Sequence, residues 1–82
     1  MPTIIVHLYG HYQDFYPGGL VAVEVPPLAT VREAAEALAA ADPRFLGVAS
    51  ACRFAVNDAY ASLDAAIPHD ATVALIPPVS GG

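Results

Sequence analysis

Thr30-Val31-Arg32-Glu33-Ala34-Ala35-Glu36-Ala37-Leu38 is the stretch that organises the reading of this chain. Val31, Ala34, Ala35 and Leu38 fall at i, i+3, i+4 and i+7, which places them on one apolar stripe of a helix suited to packing on a sheet. Arg32, Glu33 and Glu36 lie off the stripe. Thr30 can accept a hydrogen bond from the first turn, and Glu33 three residues later can reach back, so the pair predicts a capping box. Asp42-Pro43 stops the helix, because the residue before a proline is pushed out of the helical region.

The segments on either side of the helix have the period of strands. From Thr3 to Tyr9, Ile4, Val6 and Leu8 point one way and Ile5, His7 and Tyr9 the other. That alternation reads as a strand. Gly10 to Gly19 is polar, aromatic and turn-rich, and is expected to be a loop. Leu20 to Val25 is a second strand, ended by Pro26-Pro27 because proline cannot donate to a ladder. After a short connector from Arg44 to Ser50, Ala51 to Asn57 reads as a third strand with Cys52, Phe54 and Val56 on one side. Asn57-Asp58 is a turn signal. Ala59 to Ile67 reads as a short strand plus irregular chain carrying Leu63 and Ile67 inward, and Pro68-His69-Asp70 as a turn. Thr72 to Ile76 is the final strand, with Val73 and Leu75 on one face.

Strand, strand, helix, strand, short strand, strand is the order of a two-layer α+β domain. The expected fold is a ubiquitin-like β-grasp, with a mixed sheet of four to five strands and one main helix packed on one face. The last strand is expected beside the first. Residues 1–76 form the domain and residues 77–82 a tail. An 82-residue chain is one domain with a small core, so its stability is modest without a partner.

Charge and cysteine usage exclude several classes of function. The net charge is −5, with three arginines and no lysine, so the basic footprint of a nucleic-acid binder is missing. Without lysine the chain cannot link to itself through isopeptide bonds. The lone Cys52 forms no internal disulfide and cannot hold a plant-type iron–sulfur cluster. Cys52 reads as core, like most free cysteines. His7, His11 and His69 sit in a strand, its loop and a remote turn, and no metal site is expected from that spacing. Tyr9, Tyr12, Phe15 and Tyr16 are expected to cluster near the first loop. No signal-peptide pattern opens the chain and no apolar run is long enough to span a bilayer, so a cytoplasmic protein is expected, without a membrane partner.

The ending, Pro77-Pro78-Val79-Ser80-Gly81-Gly82, carries the chemistry. Glycines without Cβ can enter a channel too narrow for other residues. A free α-carboxylate, with a pKa of about 3.5, is an anion at neutral pH and a poor electrophile until activated. Extended, the six residues reach about 20 Å, and the paired prolines favour a polyproline conformation that would hold the tail away from its domain. Alternatively the prolines simply terminate the strand and the glycines fray.

From Val56 to Gly82 the chain resembles the MoaD/ThiS sulfur-carrier family, and within it the small-subunit branch of molybdopterin synthase. The residues that carry the resemblance are Val56-Asn57, the spaced stretch through Ile67, and Val73-Ala74-Leu75-Ile76-Pro77-Pro78-Val79-Ser80-Gly81-Gly82. Two places depart from the family pattern: His7 to Asp14, and Asp70-Ala71 where a Gly-Asp pair is usual.

The resemblance implies that an adenylating enzyme uses ATP to activate the Gly82 carboxylate. A sulfur donor protein then converts it to a thiocarboxylate, and a large synthase subunit receives the sulfur, with Pro77, Pro78, Val79, Ser80 and Gly81 threading into that partner. It implies no bound cofactor and no catalytic side chain in this chain. Carriage into thiamine, an amino acid or a secondary metabolite, modification of protein lysines, and a plain binding module with an inert tail are the alternatives. An apolar solvent-side face made by Ile5, Tyr9, Ala55, Ala74 and Ile76, with Arg53 beside them, is expected to be the partner interface.

Overall fold

The computed structural model describes residues 2–78. Its five strands are β1 (Thr3–Leu8), β2 (Leu20–Glu24), β3 (Arg53–Val56), β4 (Ala59–Ala61) and β5 (Val73–Ile76), arranged in one sheet in the order β2-β1-β5-β3-β4. β5 runs parallel to β1 and antiparallel to β3, and the β1–β2 and β3–β4 pairs are antiparallel hairpin neighbours. The last strand therefore lies at the centre of the sheet, where Val73 and Leu75 are fully buried. This is the ubiquitin-like β-grasp arrangement.

Helix α1 (Val31–Ala41) packs its stripe on the sheet, and Val31, Ala34, Ala35 and Leu38 are all buried. The capping box forms in both directions. Thr30 Oγ1 accepts from the Glu33 N–H at 3.3 Å, and the Thr30 N–H donates to Glu33 Oε1 at 2.9 Å. Two orphan donors of the first turn are thereby satisfied, a cap worth about 1 kcal/mol. The hairpin between β3 and β4 turns at Asn57 and Asp58, with φ of +51° and +68°. Both central residues have the left-handed conformation of the two-residue turn that matches strand twist. Asn57 also ties that turn to the start of β5: its N–H donates to the Thr72 carbonyl at 2.8 Å, and its Oδ1 accepts from the Thr72 N–H at 3.0 Å.

Two segments expected as plain loop or connector have structure of their own. Gly10–Phe15 and Pro17–Gly19 are 3-10 turns, and the connector after α1 contains a 3-10 turn, Pro43–Phe45, and a one-turn helix α2, Val48–Ala51. Ala51 belongs to α2, so β3 begins only at Arg53. Phe45 and Val48 are fully buried core residues. The two segments pack on each other. The Phe45 ring lies 5.8 Å from Tyr12, 5.9 Å from Phe15 and 6.0 Å from Tyr16, centroid to centroid.

A charged clasp closes over these rings. Asp42 accepts from the Tyr16 hydroxyl at 2.9 Å, and from Arg44 Nη2 at 2.8 Å and Nε at 3.1 Å. The Arg44 guanidinium lies 4.3 Å over the Phe15 ring. Hydrogen bonds from the Arg44 side chain, and then from its backbone N–H, hold the Asp42 carboxyl well below the usual carboxylate range. The bond to Asp42 pushes the Tyr16 phenol up.

Two outcomes follow from this aromatic extension of the core. Phe45→Ala deletes a fully buried ring and should cost about 3–5 kcal/mol, measured by denaturant unfolding. Because the Asp42 pKa is lowered by folding, its contribution is complete above the unfolded value of about 3.9 and is lost as pH falls from there toward the folded value. Asp42→Asn should melt lower at neutral pH, and below about pH 4 its melting temperature should fall less steeply than that of the parent.

Candidate functional site

Because β1 and β5 are parallel, their carboxyl ends emerge side by side. The register pairs Val6 with Val73, His7 with Ala74 and Leu8 with Leu75. One step further brings Tyr9 beside Ile76, and two steps bring Gly10 beside Pro77. Leu8 and Leu75 face the core, so Tyr9 and Ile76 face outward, away from α1.

On that outer face Tyr9, Ala55, Asp58, Tyr60, Ala74 and Ile76 line an open cleft of about 440 Å³. Ala55 and Ala74 are a cross-strand pair that forms its floor, and Ala55 is also paired with Tyr60. The two tyrosines are 49% and 69% exposed, so large apolar rings stand beside a shallow floor of small residues. Of the six outer-face residues named from the sequence, Tyr9, Ala55, Ala74 and Ile76 are brought together here. Ile5 is exposed further back along β1, in a separate depression with His7 and Thr72. Arg53 lies opposite Ile76 and outside the cleft lining, its guanidinium 5.5 Å from the Tyr60 ring.

Asp58 and Tyr60 complete the cleft and were missed in the sequence. The signal for Tyr60 was available, since a two-residue turn at Asn57-Asp58 fixes the hairpin register that sets Tyr60 opposite Ala55. Tyr9 stands apart from the aromatic cluster in which it was expected. It ends the alternation of β1 on the outer face, whereas Tyr12, Phe15 and Tyr16 gather on Phe45.

Pro77 and Pro78 are the described part of the tail, and the expectations for Val79, Ser80, Gly81 and Gly82 lie outside the described residues. Pro78 is exposed. Pro77 departs from a tail held clear of its domain: it is half-buried, and its ring covers Gly10 so closely that a Cβ placed there would lie 2.6 Å from Pro77 Cγ.

The remaining candidates do not join this site. Cys52 is half-buried against the core, where its thiol donates weakly to the Tyr12 hydroxyl at 3.7 Å. Burial, and then that contact, push the Tyr12 phenol up. The His11 ring lies tilted against Tyr12, 4.1 Å between centroids, and His69 lies 3.4 Å from Asp70 at the far end of the domain. Among the described residues no group of three or more His, Cys, Asp or Glu is placed to hold a metal ion, and no helix is long and apolar enough to cross a membrane. A second cavity of about 330 Å³, lined largely by Pro2, Val25, Pro26, Pro27, Leu28 and Pro68, lies at the opposite end of the sheet.

Comparison with family models matches residues 6–82 to the ThiS family. The chain belongs to the ThiS family. It is a ubiquitin-like sulfur carrier of the MoaD/ThiS kind, and the match spans β1 through Gly82. Among solved structures it is similar to SAMP1 from Haloferax volcanii, a small archaeal modifier protein, at 27% identity and a TM-score of 0.82, covering 99% of this chain and 100% of that one. It is also similar to a molybdopterin converting factor subunit 1 from Pyrococcus furiosus, at 21% identity and a TM-score of 0.78, over 94% of this chain and 98% of that one. A third likeness is to the complex of subunits 1 and 2 of molybdopterin-converting factor from Helicobacter pylori, at 18% identity and a TM-score of 0.66, covering 99% and 100%. The two likenesses to molybdopterin converting factors bear on the fold. A search of curated proteins found no match.

Proposed function

We propose that this ThiS-family carrier holds sulfur as a thiocarboxylate on Gly82 and donates it as the small subunit of a molybdopterin synthase. The observation that carries the reading is the family match, which covers residues 6–82 and so takes in the ending Pro77-Pro78-Val79-Ser80-Gly81-Gly82. The Pro77-Pro78-Val79-Ser80-Gly81-Gly82 ending, which resembles the small-subunit branch of molybdopterin synthase, supports the choice of pathway.

The chemistry divides between the chain and its partners. A carboxylate oxygen of Gly82 attacks the α-phosphorus of ATP in the activating enzyme, and pyrophosphate leaves. A sulfide-level nucleophile from a donor protein then attacks the acyl carbon and AMP leaves with the C–O electron pair, which gives the thiocarboxylate. The chain supplies the carboxylate, a docking face and a tail slim enough to enter another protein's site. The partners supply ATP, the metal for its phosphates and every proton-transfer group. Tyr9, Tyr60 and Ile76 are the large side chains of the docking face, and the Ala55–Ala74 floor receives a projecting partner side chain. Aromatic anchors around a recess are the usual seat of binding energy in such contacts.

A second reading has its own support. SAMP1 is a modifier protein, and it is more similar in sequence to this chain than the two molybdopterin factors are. A modifier needs the same activated carboxylate and differs only in the acceptor, a lysine amine instead of a sulfur nucleophile. This chain has no lysine, so any conjugate would be to other proteins.

Intact mass measurement of the protein co-expressed with its host's activating enzyme and sulfur donor should show oxygen replaced by sulfur at Gly82. Deletion of Gly82 should abolish that change with the melting curve intact, because the reacting group is displaced by about 3.5 Å. Unmodified protein in the complete system would defeat the carrier mechanism. Ile76→Asp should weaken binding of the large subunit by about 2 kcal/mol or more, read by calorimetry. An N-terminally tagged chain recovered from its host under denaturing conditions should be free of conjugates. A ladder of lysine adducts through Gly82 would replace the synthase reading with the modifier one.

A further inference from the structure

The contact between Gly10 and Pro77 is more specific than the termination of a strand requires. Proline at position 77 ends the β5 ladder wherever its ring points, because it has no N–H to donate. Here the ring is half-buried and laid on Gly10, two residues past the last β1–β5 register pair that precedes it. Gly10 meets two demands at once. Its φ is +61°, in the left-handed region where a side chain is strained, and its missing Cβ leaves the space that the Pro77 ring fills. Only glycine satisfies both without displacing the ring.

We infer that Gly10 is a positioning residue for the carrier's tail: it seats the Pro77 ring on the end of β1 and so fixes the point from which the chain beyond Pro77 departs. The inference rests on the proposed role of Gly82, which lies five positions after Pro77. The seat adjoins the cleft, since Tyr9 and Ile76 are the residues immediately before Gly10 and Pro77. A partner that grips the cleft therefore grips the same two strand ends that hold the tail's root. The distance from docking face to root becomes a property of the folded domain. That matters because misplacing a reacting group by about 1 Å can cost about a hundredfold in rate. Docking sets the affinity, whereas the seat acts on the step that follows binding.

The test uses the full chain and its host's activating enzyme with ATP, following pyrophosphate release for kcat and KM. Gly10→Asn separates the two demands, because asparagine tolerates positive φ but still carries a Cβ into the ring. It should remain folded, keep KM within about twofold and lower kcat about tenfold or more. Pro77→Ala, which leaves position 10 native, should also lower kcat at unchanged melting temperature. Adding Pro77→Ala to Gly10→Asn should bring kcat to the level of Pro77→Ala alone, because the clash is gone. The Overhauser contact between the Gly10 α-protons and the Pro77 ring should be present in the parent.

A wild-type kcat in either single variant overturns the positioning role, as does a double variant slower than Pro77→Ala alone. A loss confined to KM also overturns it and reassigns the pair to docking. A parent chain that is never adenylated overturns the carrier reading instead, and the Overhauser measurement still reports whether the seat exists.

Discussion

Parallel pairing of β1 with β5 is the constraint on which the rest of the molecule depends. It joins two segments almost a whole chain apart and places the later one between β1 and β3. Without β5 the two hairpins would be separate ribbons, each too small to stand alone in water. With it, one sheet forms whose inner face is broad enough to receive α1. The same pairing makes the two strand ends parallel neighbours, so the outer cleft and the start of the tail are built from adjacent residues. The sheet and its outer cleft thus have one origin in the register of three residue pairs.

An aromatic extension of the core supports the end of the sheet from which Pro77 departs. Tyr12, Phe15 and Tyr16 follow directly after Gly10, and their packing on Phe45 fixes the turn in which Gly10 sits. The Asp42–Arg44–Tyr16 clasp links that turn to the end of α1. Those charges are partly buried and mutually hydrogen-bonded, an arrangement worth more than an exposed ion pair. The side of the domain that presents the tail is therefore braced by aromatic packing and by charge.

Elements with a clear period were legible in the chain. Val31, Ala34, Ala35 and Leu38 announce a buried helical stripe, Thr30 and Glu33 its start, and Ile4, Val6 and Leu8 a strand with one face inward. Asn57-Asp58 marks a hairpin because few residue pairs accept two positive φ angles. Phe45 and Val48 were not legible as core. They sit in single turns too short to show periodicity, and their burial comes from distant partners: the Tyr12, Phe15 and Tyr16 rings for Phe45, and α1 for the turn that carries Val48. The candidate site divides in the same way. Alternation along β1, β3 and β5 places Tyr9, Ala55, Ala74 and Ile76 on the outer face. Which of the outward residues share a cleft depends on strand order, and so Ile5 and Arg53 fall outside it while Tyr60 enters. The seating of Pro77 on Gly10 is a tertiary contact across 67 positions, with no local trace in either dipeptide.

The central position of β5 also governs when the protein can come into being. Every partner of β5 is synthesised before it, β1 by most of the chain's length. While the ribosome is still adding residues, the site between β1 and β3 stands open, and the sheet cannot close until Val73 to Ile76 have emerged. Loop-closure entropy is paid over a long separation before any of that pairing is recovered, which slows folding relative to domains of local contacts. Completion of the sheet and seating of Pro77 on Gly10 are therefore a single late event. A newly made or damaged chain that has not inserted its last strand also lacks the complete outer cleft, to which that strand supplies Ala74 and Ile76. The topology thus ties the cleft to completion of the sheet, so that a chain presenting the assembled cleft is one that has already folded.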